Sequence, residues 1–388
     1  MHNDIKIAYF AGSMKPGQDG VTRVLYKMIE YFNKNGIKNI FYSPIVPEES
    51  EQPTKMFEVP SFTIPVYKEY KFAIPGVKYF EESLKNFAPD ILHINSPCPL
   101  GYAAVKYGQK NNIPVVATYH THFPSYAKYY KIKALENMGW NYLRSLYNKC
   151  EAVYVPSLPI MTELSAQGLE TIQFLPHGVD TEVFNPTFRS PEWKNSIGCK
   201  DKKIILYSGR LVWEKDLKVF ADAYDIIMAS RNDAAFVLVG DGPIRSELKD
   251  LMPNAIFLGY RSGKDLSTAY SSSDIFAFPS TTETFGNVTV EAMASGIPPV
   301  CVRAGGAYGI INDGVTGLIA EPHSAESFAA QILFLLNNEE KRIQMGLDAI
   351  KYSHAQNWDT IISRLLASYC GIIDNFKKTL IYRTIKAA

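Results

Sequence analysis

The chain has 388 residues, 46% of them hydrophobic, and its 40 basic and 39 acidic residues leave a formal charge of +1. That length accommodates two domains with filled cores, and so even a balance supplies no global field that would draw the protein onto nucleic acid. Five cysteines, Cys98, Cys150, Cys199, Cys301 and Cys370, stand far apart with no Cys-x-x-Cys pair, which excludes a zinc cluster or disulfide framework and points to a reducing, cytoplasmic setting.

Asp4 precedes a short apolar run over 5–11, which reads as a first strand rather than a signal peptide. No run reaches transmembrane length, so membrane contact is expected to be peripheral. Residues 12–20 form a loop with Gly12, Gly17 and Gly20, a spacing that matches neither the dinucleotide fingerprint nor a P-loop. Residues 21–33 have helical apolar spacing, 39–45 and 60–66 read as extended, 76–87 as helical and 90–96 as a strand with its C-terminal edge. Open parallel sheets bind ligands at such edges, which makes His93 and Asn95 site candidates, although polar residues at strand ends more often bond to a loop. The strand beginning at Pro114 runs directly into His120 and so places it at the same end of the sheet. Residues 126–150 are rich in Tyr and Lys. Their apolar positions suit a helix, and their basic aromatic face reads first as solvated and second as a contact for anionic headgroups. A strand over 151–156, a helix over 159–167 and a strand over 171–175 complete the first half.

Residues 176–186 read as a linker and 187–201 as an exposed hinge. A strand over 204–207 exits through Gly209 to the cationic pair Arg210 and Lys215. A guanidinium can fork two phosphate oxygens and an ammonium can supply a point charge beside them. Strands over 235–239 and 256–258, with helices over 244–251 and 266–271, lead to the most informative stretch. The apolar run 275–278, bounded by Asp274 and Pro279, predicts a buried strand. A polar turn follows over 281–286, then Asn287 as N-cap of a helix over 288–295 that Gly296 and Pro298 stop. Strand, loop and helix N-terminus form an anion site, because the first amides of the helix are unpaired. Glu283 and Glu291 flank it. Carboxylates beside a phosphate repel it, but they suit hydroxyl groups on either side of one, as in a nucleotide sugar; the plain alternative is two solvated surface charges. A strand over 299–302, a turn and short strand over 312–320 and a helix over 324–337 follow. The tail, 358–388, is helical and amphipathic, with Lys377, Lys378, Arg383 and Lys386 among Phe376, Leu380, Ile381 and Ile385. Core packing with a solvated face is its first reading and lipid contact its second.

Glu-x7-Glu in the setting Glu283-Thr284-Phe285-Gly286-Asn287-Val288 to Glu291-Ala292-Met293-Ala294-Ser295-Gly296 resembles the signature of the retaining glycosyltransferases of family 4. Asp19-Gly20-Val21-Thr22-Arg23, the crossover Pro176-His177-Gly178-Val179-Asp180, and the run from Gly209 to Lys215 extend the resemblance over most of the chain. Thr121, Phe123, Pro124, Ser125 and Tyr126 look like the members that use mannosyl, glucosyl or sulfosugar donors and often act on lipid-linked acceptors. The resemblance implies an α/β fold of the GT-B kind: two Rossmann-like doubly wound domains facing a cleft, with an acceptor-side domain over 1–184 and a nucleotide-sugar domain over 185–365. A C-terminal helix over 366–388 is expected to pack back on the first domain. It assigns the donor to Gly20, Arg210, Lys215, Tyr260, Arg261, Glu283, Phe285, Gly286, Asn287, Val288 and Glu291, and the acceptor to Asn95, His120 and Tyr126. His120, Glu283, Arg210 and Lys215 take the catalytic roles. Family members often carry an acidic residue where Gly309 stands, a departure that leaves donor choice at that turn open.

The implied reaction is hexosyl transfer from a GDP- or UDP-linked sugar to a glycan or lipid-linked acceptor, with anomeric configuration retained. No Asp-x-Asp triplet occurs in the chain, so neither a metal nor a cofactor is expected. The chemistry needs Arg210, Lys215 and the helix amides to stabilise the departing diphosphate, Glu283 to orient the sugar and Glu291 to accept from the ribose. A sugar-nucleotide epimerase and a non-catalytic nucleotide-sugar-binding protein are the two rival readings. A glycosidase would need two carboxyls facing one bond. A cytoplasmic enzyme associated with the inner face of the membrane fits these expectations.

Overall fold

The computed structural model describes residues 4–17, 19–64, 67–74, 76–121 and 133–387. The chain divides into two compact units. The first comprises 1–156, 161–175 and 359–388, and the second 157–160 and 176–358.

Among the described residues, the first unit holds β1 (Lys6–Phe10), β2 (Lys38–Ser43), β3 (Lys55–Glu58), β4 (Ser61–Ile64), β5 (Tyr67–Ala73), β6 (Ile91–Ile94), β7 (Val115–Thr118), β8 (Ala152–Val155) and β9 (Ile172–Phe174). Seven of these make one parallel sheet in the order β3-β2-β1-β6-β7-β8-β9. Its central strands are buried on both faces and accordingly read as continuous apolar runs. The extended reading of 60–66 falls instead on β4, which pairs antiparallel with β5 in a separate hairpin. The helix Pro99–Asn111 was not expected. Gly101 and Gly108 dilute its signal, yet they are what lets it seat: a Cβ at Gly108 would lie 2.3 Å from Val115 Cγ2, and one at Gly101 2.4 Å from Ser96 O.

The 30-residue helix Trp358–Ala387 belongs to the first unit from Asp359 onward. A buried polar knot ties it to the sheet. Tyr369 OH lies 3.0 Å from Tyr9 OH and also bonds His93 Nδ1, while His93 Nε2 lies 2.7 Å from Thr118 Oγ1. Tyr154 OH meets Ser368 Oγ at 2.8 Å and Tyr31 OH meets Ser363 Oγ at 2.7 Å. His93 is therefore not a ligand candidate. It is fully buried, because β6 aims it into the layer that the C-terminal helix closes.

Burial pushes the His93 imidazole from 6.5 down to about 3 and keeps it neutral. The folded value is depressed, so its contribution is complete above about pH 6.5 and declines as pH falls toward 3, where only the unfolded chain takes up the proton. Between pH 7 and pH 4 this one group should cost the folded state about 3 kcal/mol. Urea titrations of wild type and His93→Gln at the two pH values check this, since the glutamine variant should lose that part of the acid sensitivity.

The second unit holds β10 (Lys203–Ser208), β11 (Ala234–Val239), β12 (Ile256–Gly259), β13 (Ile275–Phe278), β14 (Pro299–Val302) and β15 (Leu318–Ala320). All pair in parallel in the order β12-β11-β10-β13-β14-β15. The order reverses between β10 and β13, and the loops that leave the C-terminal ends of those two strands open the crevice where doubly wound sheets bind ligands. Part of the expected hinge is a short helix, Pro191–Ser196. Ser190 accepts from Trp193 N to cap it, with proline in the first turn.

Candidate active site

In the second unit, the exit from β10 is laid directly on the exit from β11. Gly209 N donates to Val239 O at 3.0 Å and Leu211 N to Asp241 O at 3.0 Å. Gly240 sits at φ 132°, and a Cβ on it would fall 1.9 Å from Gly209 O, so only glycine permits this approach. Tyr207 OH donates to Arg210 O at 3.0 Å. Burial, with Glu283 and Glu214 nearby, holds that phenol well above its ordinary value, so it remains a donor. The Arg210 residue is itself exposed.

Lys215 closes a 3-10 turn, Trp213–Lys215. Its Nζ donates to Glu283 Oε1 at 2.7 Å and reaches Thr282 Oγ1 at 3.5 Å. Both side chains are largely sheltered, at 16% and 25% exposure, where an ion pair is stronger than on an open surface. Two of the expected residues, from loops on either side of the switch point, are thus in direct contact.

The helix after the turn is Asn287–Ala294, and its cap corrects the sequence expectation. Gly286, at φ 89°, occupies the N-cap position, and among the described residues no side chain caps the helix there. Asn287 is inside the helix, and its Oδ1 accepts from His177 Nδ1 at 2.8 Å. Burial drives His177 down to about 4, only partly offset by that bond, so the ring is neutral. It packs against Phe285, with ring centroids 4.8 Å apart, and against Trp358 at 6.2 Å. Phe285 is buried and so supports the turn from beneath; Val288 is half-buried. An N-terminus left open by side chains, with an imidazole fixing its first residue from behind, is suited to an anion.

Glu291 is buried, and its Oε2 accepts from Tyr270 OH at 3.1 Å. A buried carboxylate requires such donors, which rules out the reading of Glu291 as a solvated surface charge. Below the turn, Gly306 N donates to Glu283 O at 2.6 Å, and a Cβ on Gly306 would meet Thr284 O at 1.9 Å. At Gly309, a Cβ would come 2.6 Å from Pro159 Cδ, so an acidic side chain at this position does not fit this backbone unless Pro159 moves. Tyr260 and Arg261 follow β12; Tyr260 is 65% exposed and Arg261 Nη1 donates to its carbonyl at 2.9 Å.

In the first unit, Gly20 is the first residue of the helix Gly20–Lys34. Asp19 caps it in a reciprocal box with Thr22: Thr22 N donates to Asp19 Oδ1 at 2.8 Å and Asp19 N to Thr22 Oγ1 at 3.1 Å. Two acceptor candidates meet, with His120 Nε2 3.1 Å from Asn95 Oδ1. The Asn95 Nδ2 is buried without a hydrogen-bond partner among the described residues. Tyr126 lies outside the described residues. Sequence reasoning missed Asp216, Tyr270, Thr281 and Thr282, which hold the site's charged groups in place. Their partners lie up to 68 residues away, a separation that no local motif displays.

Residues 18–183 match Glycosyltransferase Family 4 and residues 189–352 match Glycosyl transferases group 1. The chain is 30% identical over 376 residues to a GDP-mannose-dependent alpha-mannosyltransferase of Corynebacterium glutamicum, covering 95% of this chain and 89% of that protein. It is 32% identical over 316 residues to the sulfoquinovosyl transferase SQD2 of Arabidopsis thaliana, covering 79% and 61%. Among solved structures, Anabaena Alr3699/HepE in complex with UDP aligns with a TM-score of 0.76 at 19% identity, over 95% of this chain and 100% of that one. The sucrose-phosphate synthase of Thermosynechococcus elongatus aligns at 0.79 with the same identity and coverage. Two parallel Rossmann-like sheets and these relatives define an enzyme of the GT-B glycosyltransferase class. The chain belongs to glycosyltransferase family 4.

Proposed function

We propose that this glycosyltransferase moves mannose from GDP-mannose, with glucose from a UDP-linked donor as the second choice, to a hydroxyl of a glycan or lipid-linked acceptor. Configuration is retained and no metal takes part. The observation that carries this reading is the Lys215–Glu283 pair at the turn feeding the open N-terminus of Asn287–Ala294. In the reading, the diphosphate oxygens take donors from Lys215, Arg210 and the first helix amides, so that this chain's own groups balance the charge growing on the leaving group. An ammonium has three donors, enough for Glu283 and a phosphate oxygen together. Glu283 accepts from the sugar hydroxyls, and Glu291, steadied by Tyr270, accepts from the ribose. The departing phosphate takes the acceptor's proton on the same face. The donor side is the second unit; His120 and Asn95 serve the acceptor in the first. The C. glutamicum relative's GDP-mannose dependence supports the choice of donor.

Incubation with labelled GDP-mannose or UDP-glucose and no acceptor tests the reaction class. Slow release of nucleotide is expected. Conversion of the intact sugar would mean an epimerase, and neither outcome would mean a binding protein.

No helix among the described residues is long and apolar enough to cross a membrane. A lipid-linked acceptor would be met at the surface instead, and the end of the C-terminal helix has a face suited to this. At 100° per residue, Lys377, Ile381, Ile385, Lys378, Tyr382 and Lys386 fall on one contiguous arc. Ile381, Tyr382 and Ile385 are 61%, 66% and 71% exposed, and the three lysines are exposed as well. Binding to vesicles rich in anionic phospholipid is expected, and reversing all three lysines to glutamate should weaken it by about a hundredfold or more. Equal co-sedimentation of both proteins would remove this face from consideration.

A further inference from the structure

We infer that Asp216 is the positioning residue that fixes Lys215 against Glu283, a conclusion that rests on the reading of that pair as part of the donor site. Asp216 has φ 54° and ψ 33°, the left-handed region that glycine occupies easily and other residues rarely. Here the chain places an aspartate there, and the side chain is fully engaged. Its Oδ2 accepts from Thr281 N at 2.9 Å and from Thr281 Oγ1 at 2.7 Å, and its Oδ1 faces His323 Nδ1 at 3.3 Å. Asp216 is 7% exposed.

The pattern around it is what gives the carboxylate a role beyond packing. Lys215 is bracketed by Glu214 and Asp216, and each of these grips a residue just ahead of Glu283. The Glu214 carbonyl accepts from Thr282 Oγ1 at 3.0 Å, and the Asp216 carboxylate holds Thr281. Loops from the ends of β10 and β13 are thereby stitched across the switch point on both sides of the ion pair, while His323 adds a contact from the loop after β15. A carboxylate can reach across that gap from a left-handed backbone; a glycine there loses both bonds to Thr281 and leaves, among the described residues, those through Thr282 and Lys215. Backbone conformations of this cost persist where surrounding structure over-determines them, and they cluster at functional sites.

The test uses the full chain, four single variants, Asp216→Gly, Asp216→Asn, Thr281→Val and Lys215→Ala, and the Asp216→Gly/Thr281→Val double variant, all assayed for nucleotide release from the accepted donor, with thermal melting measured in parallel. Asp216→Gly suits the backbone and should fold. Its kcat should nevertheless fall about 10–100-fold, the scale of a modest misplacement of reacting groups, with KM for the donor moving far less. Asp216→Asn keeps an acceptor oxygen for Thr281 and should recover much of that loss. Thr281→Val should reproduce part of it, and the Asp216→Gly/Thr281→Val double variant should be no worse than Asp216→Gly alone. A merely structural role would instead make kcat follow melting temperature. Full activity of Asp216→Gly alongside an inactive Lys215→Ala would overturn the inference and leave the donor-site reading intact. Full activity of Lys215→Ala would overturn that reading itself. Should Asp216→Gly fail to fold, an unchanged kcat in Thr281→Val would decide against the inference.

Discussion

Lys215→Ala is expected to lower kcat/KM by about a hundredfold to a thousandfold, comparable to removing one donor from a preorganised oxyanion site. Two losses combine. The ammonium that would face the diphosphate disappears, and Glu283, now without its partner at 2.7 Å, is left as an uncompensated carboxylate beside the phosphate. The second effect separates this explanation from a general disturbance of the loop. Lys215→Ala/Glu283→Gln should bind free GDP more tightly than Lys215→Ala alone, because the repelling charge has gone, while transfer stays low because the ammonium is still missing and a neutral amide accepts more weakly from the sugar hydroxyls than a carboxylate does. Lys215→Arg should restore only part of the activity, since a planar fork does not replace a point charge in a space sized for an ammonium. Calorimetric titration with GDP and initial-rate measurements together check this order. Rates unchanged in Lys215→Ala would remove the residue from the mechanism.

Tyr369→Ala should destabilise the first unit by about 3–5 kcal/mol. The ring is fully buried between Tyr9, His93 and Tyr154, with centroids 5.8 Å and 6.1 Å from the last two. Its hydroxyl is the common partner of Tyr9 OH and His93 Nδ1. Tyr369→Phe preserves the packing and removes only the hydroxyl, leaving two buried polar groups short of a partner, and should cost about 1–3 kcal/mol. Urea unfolding followed by tyrosine fluorescence and circular dichroism measures both. Because the C-terminal helix completes the layer over β1 and β6, both variants should show an early transition for the first unit. A phenylalanine variant as stable as wild type would mean that shape, rather than the polar knot, holds the helix in place.

Much of the architecture was legible because parallel strands buried on both faces write themselves as short apolar runs. Ile275–Phe278 and Pro299–Val302 stand out between turn residues for that reason. The helix Pro99–Asn111 was hidden by the same two glycines that allow its close approach to the sheet. Gly286 and Asn287 are adjacent residues, both compatible with a helix cap, and only the folded backbone shows which one takes the left-handed position. At the site, the charged residues could be named from their place after strands and before a helix. Their contacts could not. The Lys215–Glu283 pair joins residues 68 apart, and Asp216 reads as an ordinary acidic residue until its φ and its hold on Thr281 are seen. His93 and Asn95 looked equivalent at the end of β6, but the first is sealed beneath the C-terminal helix while the second meets His120.

The most direct test of the donor-site proposal is a crystal structure of the protein with GDP bound. The expected result places the diphosphate within hydrogen-bond reach of Lys215 Nζ and the first amides of Asn287–Ala294, with the ribose hydroxyls on Glu291. A nucleotide bound away from that turn, with Glu291 donating nothing to and accepting nothing from the ribose, would contradict it.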